Sequence, residues 1–342
     1  MTSKEKEAVQ IQHSPKTENE ILVHAKNIKK YFPIKGGILK RTIGHLKAVD
    51  DISFQIYKGE TLGIVGESGS GKSTLGRVLL RLLDPTDGKI VFNGIDISNM
   101  GNRGIRPHRK DMQIIFQDPF ASLNSKMSVE ELIEEPLLIQ QNLPKEERKR
   151  KVTDMLEKVG LRASDRLKYP HEFSGGQRQR ISIARALIME PKFVICDEPV
   201  SALDVSIQSQ VLNLMKDLQD DFDLTYLFIA HDLSVIKHIS DRVAVMYLGR
   251  FAELASKETI YKKPLHPYTQ ALLSAIPIID VDDTKKEREK IILKGDLPNP
   301  ADPPSGCAFR TRCPHAHDRC AIDRPVLQEV EKDHFVACHL YT

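Results

Sequence analysis

Apolar and polar positions change rhythm several times along the chain, and each change predicts a different kind of element. Residues 1 to 20 are polar, show no periodicity and are expected to form a mobile tail. From Ile21 onward, short apolar runs are broken by glycines and charged turns, as in strands. Four later runs are almost continuously apolar: Thr61–Val65, Met112–Phe116, Phe193–Cys196 and Leu224–Ala230. Strands of that kind belong in a sheet covered on both faces. Helical patterns follow several of them, over Lys72–Leu83, where Asp84-Pro85 stops the helix, and over Val205–Leu218. The alternation predicts an α/β domain around a mainly parallel sheet.

Between about Pro119 and Glu190 the strand signal vanishes and helical spacing dominates, which suggests a helical subdomain inserted into the α/β core. Its charged run Lys145–Lys151 is expected to be a solvated helix face. From residue 261 a third region begins, with a proline-containing segment, a charged link at Asp280–Lys290 and a cysteine-rich end. The expected organisation is therefore a tail (1–20), an α/β domain (21–260, helical over about 119–190) and an extension (261–342).

Composition narrows the class. The 342 residues are 40% hydrophobic and 28% charged, with a formal charge of +3, which argues against a disordered chain or a strongly polyanion-binding one. No nucleic-acid partner is expected. No stretch has the length of a signal-peptide core, and none approaches the roughly 18 to 20 apolar residues that span a bilayer. The chain is expected to stay in the cytosol. Cys196 lies mid-chain, within a strand, and is expected to be a buried apolar residue, whereas Cys307, Cys313, Cys320 and Cys338 crowd into the end. In a reducing compartment such grouped thiols more often hold a metal than form disulfides.

Gly66-Glu67-Ser68-Gly69-Ser70-Gly71-Lys72-Ser73 matches G-x-x-x-x-G-K-[ST] after a predicted strand and at the head of a predicted helix. Glycines there let backbone N–H groups wrap around phosphate oxygens. Lys72 meets the β- and γ-phosphates, and Ser73 offers its hydroxyl to Mg²⁺. Asp197-Glu198 closes the strand Phe193–Cys196, which suits Asp197 to the metal and Glu198 to polarising the attacking water. Ser174-Gly175-Gly176-Gln177 precedes a helical pattern over Arg178–Glu190. Ser174 and Gln177 form a capping box, and the glycines expose N–H groups at the helix start, a second anion-binding device. One nucleotide does not need two such devices in one subunit.

With these motifs in this order over roughly residues 21 to 260, the sequence resembles the nucleotide-binding subunits of ABC transporters. The resemblance implies that Ser174, Gly175, Gly176 and Gln177 are the signature motif, with Phe173 where leucine is usual, closing over ATP held by a partner subunit. It makes Gln117 the Q-loop residue and a metal neighbour, Ser201–Asp204 the D-loop with Asp204 near nucleotide, and His231 the switch histidine at the γ-phosphate. Thr74 joins the phosphate contacts, and Phe32 or Tyr31 stacks on adenine. The P-loop, Gln117, Asp197 and His231 each follow a different predicted strand, the end at which open α/β sheets bind ligands.

Gln117–Asn124, Tyr169–Phe173 and Leu265–Thr269 narrow the resemblance to the oligopeptide and dipeptide importers, most closely the F-type ATPase subunits of oligopeptide permeases. Dipeptide and nickel importers carry similar stretches, so those cargoes remain open. The implied partners are a second ATPase subunit, two membrane permeases and an extracytoplasmic peptide-binding protein, with the chain peripheral on the cytoplasmic membrane face. The cysteines, spaced C-x5-C-x6-C-x17-C, depart from the paired C-x2-C of zinc ribbons. Related importer subunits carry a 4Fe–4S cluster at such cysteines, so a cluster on Cys307, Cys313, Cys320 and Cys338 is implied, with zinc as the alternative. A soluble, non-transport ABC ATPase is the rival reading.

Overall fold

The computed structural model describes residues 20–36, 40–141, 143–276, 291–293 and 295–341. The expected tail, apart from Glu20, and the link Asp280–Lys290 lie outside them.

The described residues form twelve strands: β1 Ile21–Gly36, β2 Arg41–Tyr57, β3 Thr61–Val65, β4 Asp87–Phe92, β5 Ile95–Asp96, β6 Met112–Ile115, β7 Phe193–Asp197, β8 Thr225–Ala230, β9 Arg242–Tyr247, β10 Arg250–Ser256, β11 Gln328–Glu331 and β12 His334–Val336. They make two sheets, an antiparallel β2-β1-β4-β5 and an eight-stranded β11-β12-β10-β9-β3-β8-β7-β6. The five strands from β9 to β6 run parallel, as the strand–helix alternation requires.

Successive residues of these strands point to opposite faces. Leu62, Ile64, Phe193, Ile195, Leu227 and Ile229 enter one core with the helix Lys72–Leu79 and the antiparallel sheet. Val194, Cys196, Tyr226 and Phe228 enter another with the helices between β6 and β7. Every residue of β3, β7 and β8 is consequently buried, which is why their sequences are apolar on both phases. Cys196 is fully buried, as expected.

Among the described residues no strand lies between β6 and β7, and the regular elements there are helical, chiefly Val129–Gln140, Lys145–Lys158 and Gly175–Leu187. Ser128 with Glu131, and Ser174 with Gln177, close capping boxes at two of these helices. The charged run lies on Lys145–Lys158, whose buried side is Val152, Met155 and Leu156.

One expectation is corrected. The helix from Lys72 ends at Leu79, not Leu83, because Arg81 adopts φ 53° and the distant Arg109 donates to the carbonyls of Leu80 at 2.7 Å and Arg81 at 2.9 Å. Within the extension, β12 pairs with β10 and prolongs the central sheet. Glu253 on β10, fully buried, pins it further. Its carboxylate accepts from Leu265 N–H at 2.7 Å and His266 N–H at 3.0 Å and meets His334 at 2.8 Å.

Candidate functional site

The loop from Gly66 to Gly71 joins β3 to the helix Lys72–Leu79. Gly66, Gly69 and Gly71 have φ of 156°, 80° and 103°. A Cβ on Gly66 would stand 2.1 Å from the Met246 carbonyl oxygen, and one on Gly71 2.0 Å from that of Ala48. Glycine is therefore required at both positions. Lys72, 4% exposed, donates to the carbonyls of Gly66 at 2.7 Å and Glu67 at 2.9 Å. Burial lowers its pKa, while the carboxylates of Glu198, Asp197 and Glu67 act to keep the ammonium charged.

Ser73 Oγ donates to Asp197 Oδ1 at 2.6 Å, and Arg77 approaches the same carboxylate at 3.9 Å. Burial raises the Asp197 pKa against the Ser73 hydrogen bond and the Arg77 charge. Glu198 leaves β7 with φ 50°, and its N–H donates to the Ile229 carbonyl on β8 at 3.0 Å. A left-handed non-glycine residue is held at a cost and marks a constrained corner. Its carboxylate accepts from Gln117 Nε2 at 3.0 Å and lies 3.2 Å from His231 Nδ1. Four parallel strands thus deliver the loop, Gln117, Asp197-Glu198 and His231 to one end of the sheet.

A cavity of about 620 Å³ opens there, lined by Phe32, Ser68, Gly69, Gly71, Lys72, Ser73, Thr74, Gln117, Glu198 and His231 among others. Of the two aromatic candidates, Phe32 is among the residues lining the cavity and Tyr31 is not. The Tyr31 hydroxyl is tied to Asp50, which also accepts from Arg250 at 3.0 Å and Arg324 at 2.9 Å. Ser70 is buried beside Lys72. Lys47, Ala48, Gly249 and Pro300 also line the cavity. Sequence reasoning missed them because no motif marks them.

Ser174, Gly175, Gly176 and Gln177 are not among the residues lining this cavity. Ser174 N–H donates to Gln177 Oε1 at 3.0 Å, and Gln177 N–H to Ser174 Oγ at 3.4 Å, so the helix start caps itself. Gly176 faces Ile207, and Asp204 is the exposed residue before the helix Val205–Phe222. Residues 174–177 and 203–207 therefore sit side by side.

The four terminal cysteines are free. Burial pushes the Cys338 thiol up to about 11, and the negative charges of Cys307, Cys313 and Cys320 push the same way. Burial also raises Cys307, against hydrogen bonds from the Phe309 and Arg310 amides, and Cys313, against one from His315. Among the described residues, no group of three or more His, Cys, Asp or Glu side chains is arranged to hold a metal ion.

Comparison with known proteins adds family context. The ABC transporter family model matches residues 49–201, and the model for the oligopeptide/dipeptide transporter C-terminal region matches 252–320, taking in three of the four cysteines. The chain is 56% identical to the oligopeptide transport ATP-binding protein AppF of Bacillus subtilis, over 94% of this chain and 98% of that protein. It is 49% identical to the dipeptide transport ATP-binding protein DppF of Haemophilus influenzae, over 94% and 97%. A dimeric, post-hydrolysis structure of the ATP-binding cassette MJ0796 bound to ADP and Pi superposes with a TM-score of 0.61 at 27% identity, covering 69% of this chain and 98% of that one.

Proposed function

Because the chain belongs to the ABC transporter family, among its oligopeptide and dipeptide transport ATP-binding proteins, we propose that it hydrolyses ATP in the described cavity to energise peptide import. The observation that carries this reading is the meeting of Lys72, Ser73, Gln117, Asp197, Glu198 and His231 at one end of the parallel sheet. Lys72 and the loop amides hold the β- and γ-phosphates. Ser73, Asp197 and Gln117 supply oxygen donors suited to a hard cation, and Mg²⁺ bound there would neutralise phosphate charge. Glu198 orients and polarises the attacking water. Gln117 and His231 keep its carboxylate in place, with His231 also reaching the γ-phosphate. Phe32 stacks on adenine.

Hydrolysis needs a second subunit in this reading, because the signature residues Ser174–Gln177 and Asp204 lie outside the cavity and would complete a partner's site. The likeness to a dimeric cassette supports that arrangement. A related ATPase as the other half, two permeases and an extracytoplasmic binding protein make up the remainder. The helices between β6 and β7 present exposed Phe120, Leu138 and Ile139 toward the permeases. No helix of the described residues is long and apolar enough to cross a membrane, in keeping with a peripheral place on the cytoplasmic face. Oligopeptides are the proposed cargo, with dipeptides second, following the relatives' names.

For the cysteines we favour the 4Fe–4S cluster over zinc. The donor set is sulfur only, and backbone amides aimed at Cys307, Cys313 and Cys338 suit thiolate ligands. Such a group would be structural or regulatory and take no part in hydrolysis. Stoichiometric zinc without iron in anaerobically purified protein would refute it.

The site is tested in the assembled transporter. Glu198→Gln is expected to lower turnover about a hundredfold or more while retaining ATP. Lys72→Ala is expected to weaken ATP binding by about ten- to a hundredfold. Undiminished turnover in both variants would sink the assignment.

A further inference from the structure

Glu67, the second residue of the phosphate-binding loop, is held from outside by the extension. Its backbone N–H donates to the Tyr268 hydroxyl at 2.9 Å. Its carboxylate accepts from Arg312 Nη1 at 2.9 and 3.0 Å. The Arg312 side chain is only 9% exposed, and Glu67 is 27% exposed, so this ion pair is largely withdrawn from solvent screening. Glu67 in turn presents its carbonyl to Lys72.

Arg312 and Phe309 both lie on the short segment between Cys307 and Cys313. Phe309 is buried and packs against Tyr247 at 5.3 Å and Tyr268 at 5.5 Å between ring centroids, while Tyr247 and Tyr268 meet edge-on at 4.8 Å. One segment therefore supports the aromatic base under Tyr268 and supplies the cation that holds Glu67. At the other side of the loop, a Cβ on Gly69 would come within 4.0 Å of Leu297 of the extension. The loop that would receive the phosphates is thus clamped by residues about 200 to 245 positions further along the chain.

We propose that Arg312 and Tyr268 are positioning residues for ATP, fixing the phosphate-binding loop through Glu67 so that nucleotide affinity depends on the cysteine-bearing segment being in place. A loop whose amides must converge on phosphate loses affinity when its second residue is released, because ordering it is then charged against binding. The effect falls on affinity and not on the chemical step, since neither residue reaches Glu198. The proposal rests on the loop binding ATP.

The test uses the purified full chain and measures ATP affinity by direct titration and, in the assembled transporter, KM and kcat. Arg312→Gln is expected to weaken ATP binding about tenfold, the worth of one charge-assisted hydrogen bond, with KM rising in step and kcat within about threefold. Arg312→Lys should recover most of the loss, because a single nitrogen makes both contacts. Glu67→Gln should match Arg312→Gln, and the double variant, which leaves no buried charge unpaired, should be no weaker than either. Converting both Cys307 and Cys313 to Ser should weaken ATP binding with Arg312 present and add nothing in the Arg312→Gln background. Wild-type affinity in a folded Arg312→Gln protein, or fully additive losses in the double variant, would overturn the proposal. Failure of the wild-type chain itself to bind ATP would instead overturn the functional reading.

Discussion

Two helices in this molecule begin beside glycines and expose N–H groups, yet their surroundings differ in every respect that governs anion binding. The helix Lys72–Leu79 starts in a cavity, with a buried lysine, a hydroxyl bonded to Asp197 and glycines pressed against the backbone of Ala48 and Met246. The helix Gly175–Leu187 starts on the surface and satisfies its own first N–H groups through Ser174 and Gln177. The first start is built around a ligand by the whole fold. The second is stable without one. A helix start alone does not make a site, and burial with charged neighbours separates the two.

The contrast can be broken most forcefully at the glycines. Gly71→Ala, at φ 103° and 2.0 Å from a backbone oxygen, is expected to cost about 4 kcal/mol in urea unfolding and to abolish ATP binding. Gly176→Ala would meet the Ile207 Cγ2 methyl at 2.6 Å, so that side chain must turn about its stiff χ1, at a cost of about 1 to 2 kcal/mol. Equal losses would erase the distinction.

A third helix start sharpens it. His266, fully buried, caps Pro267–Ser274 by accepting from Tyr268 N–H at 3.0 Å, and burial lowers its pKa to about 4. Because that value lies below the free-imidazole value of about 6.5, the unfolded chain takes up the proton first as pH falls. The stabilisation is complete above about pH 6.5 and is lost progressively down to about pH 4, by at most roughly 3 kcal/mol. His266→Asn keeps a capping oxygen and should flatten that part of the stability–pH profile. An unchanged slope would exclude His266 as its source.

The smallest effect is expected at the self-capped start. Ser174→Ala removes one cap and should cost about 1 kcal/mol, leaving ATP affinity of the lone chain within about threefold. Turnover of the assembled transporter should fall much further. A large loss of affinity in the lone chain would place Ser174 in its own subunit's site.

Much of this was legible locally. The strands Thr61–Val65 and Phe193–Cys196 emerged from apolar runs because burial on both faces leaves no polar phase. The phosphate-binding loop and the Ser174–Gln177 capping box were readable because their geometry is set by residues within a few positions of one another. That Phe32 lines the cavity while the Tyr31 hydroxyl is tied to Asp50 was not legible, since it depends on a residue 19 positions away. Nor was the early end of the first helix, which Arg109 imposes from 29 residues away.

By itself, then, the amino-acid order determined the chemistry of the nucleotide site and the elements that carry it, because hydrogen-bonding patterns and hydrophobic periodicity act over short stretches of chain. Tertiary structure alone decided that the extension joins the central sheet through β12 and that Arg312 holds Glu67 across 245 residues. Such contacts depend on which distant surfaces meet once the core has formed, and no local pattern records that distance.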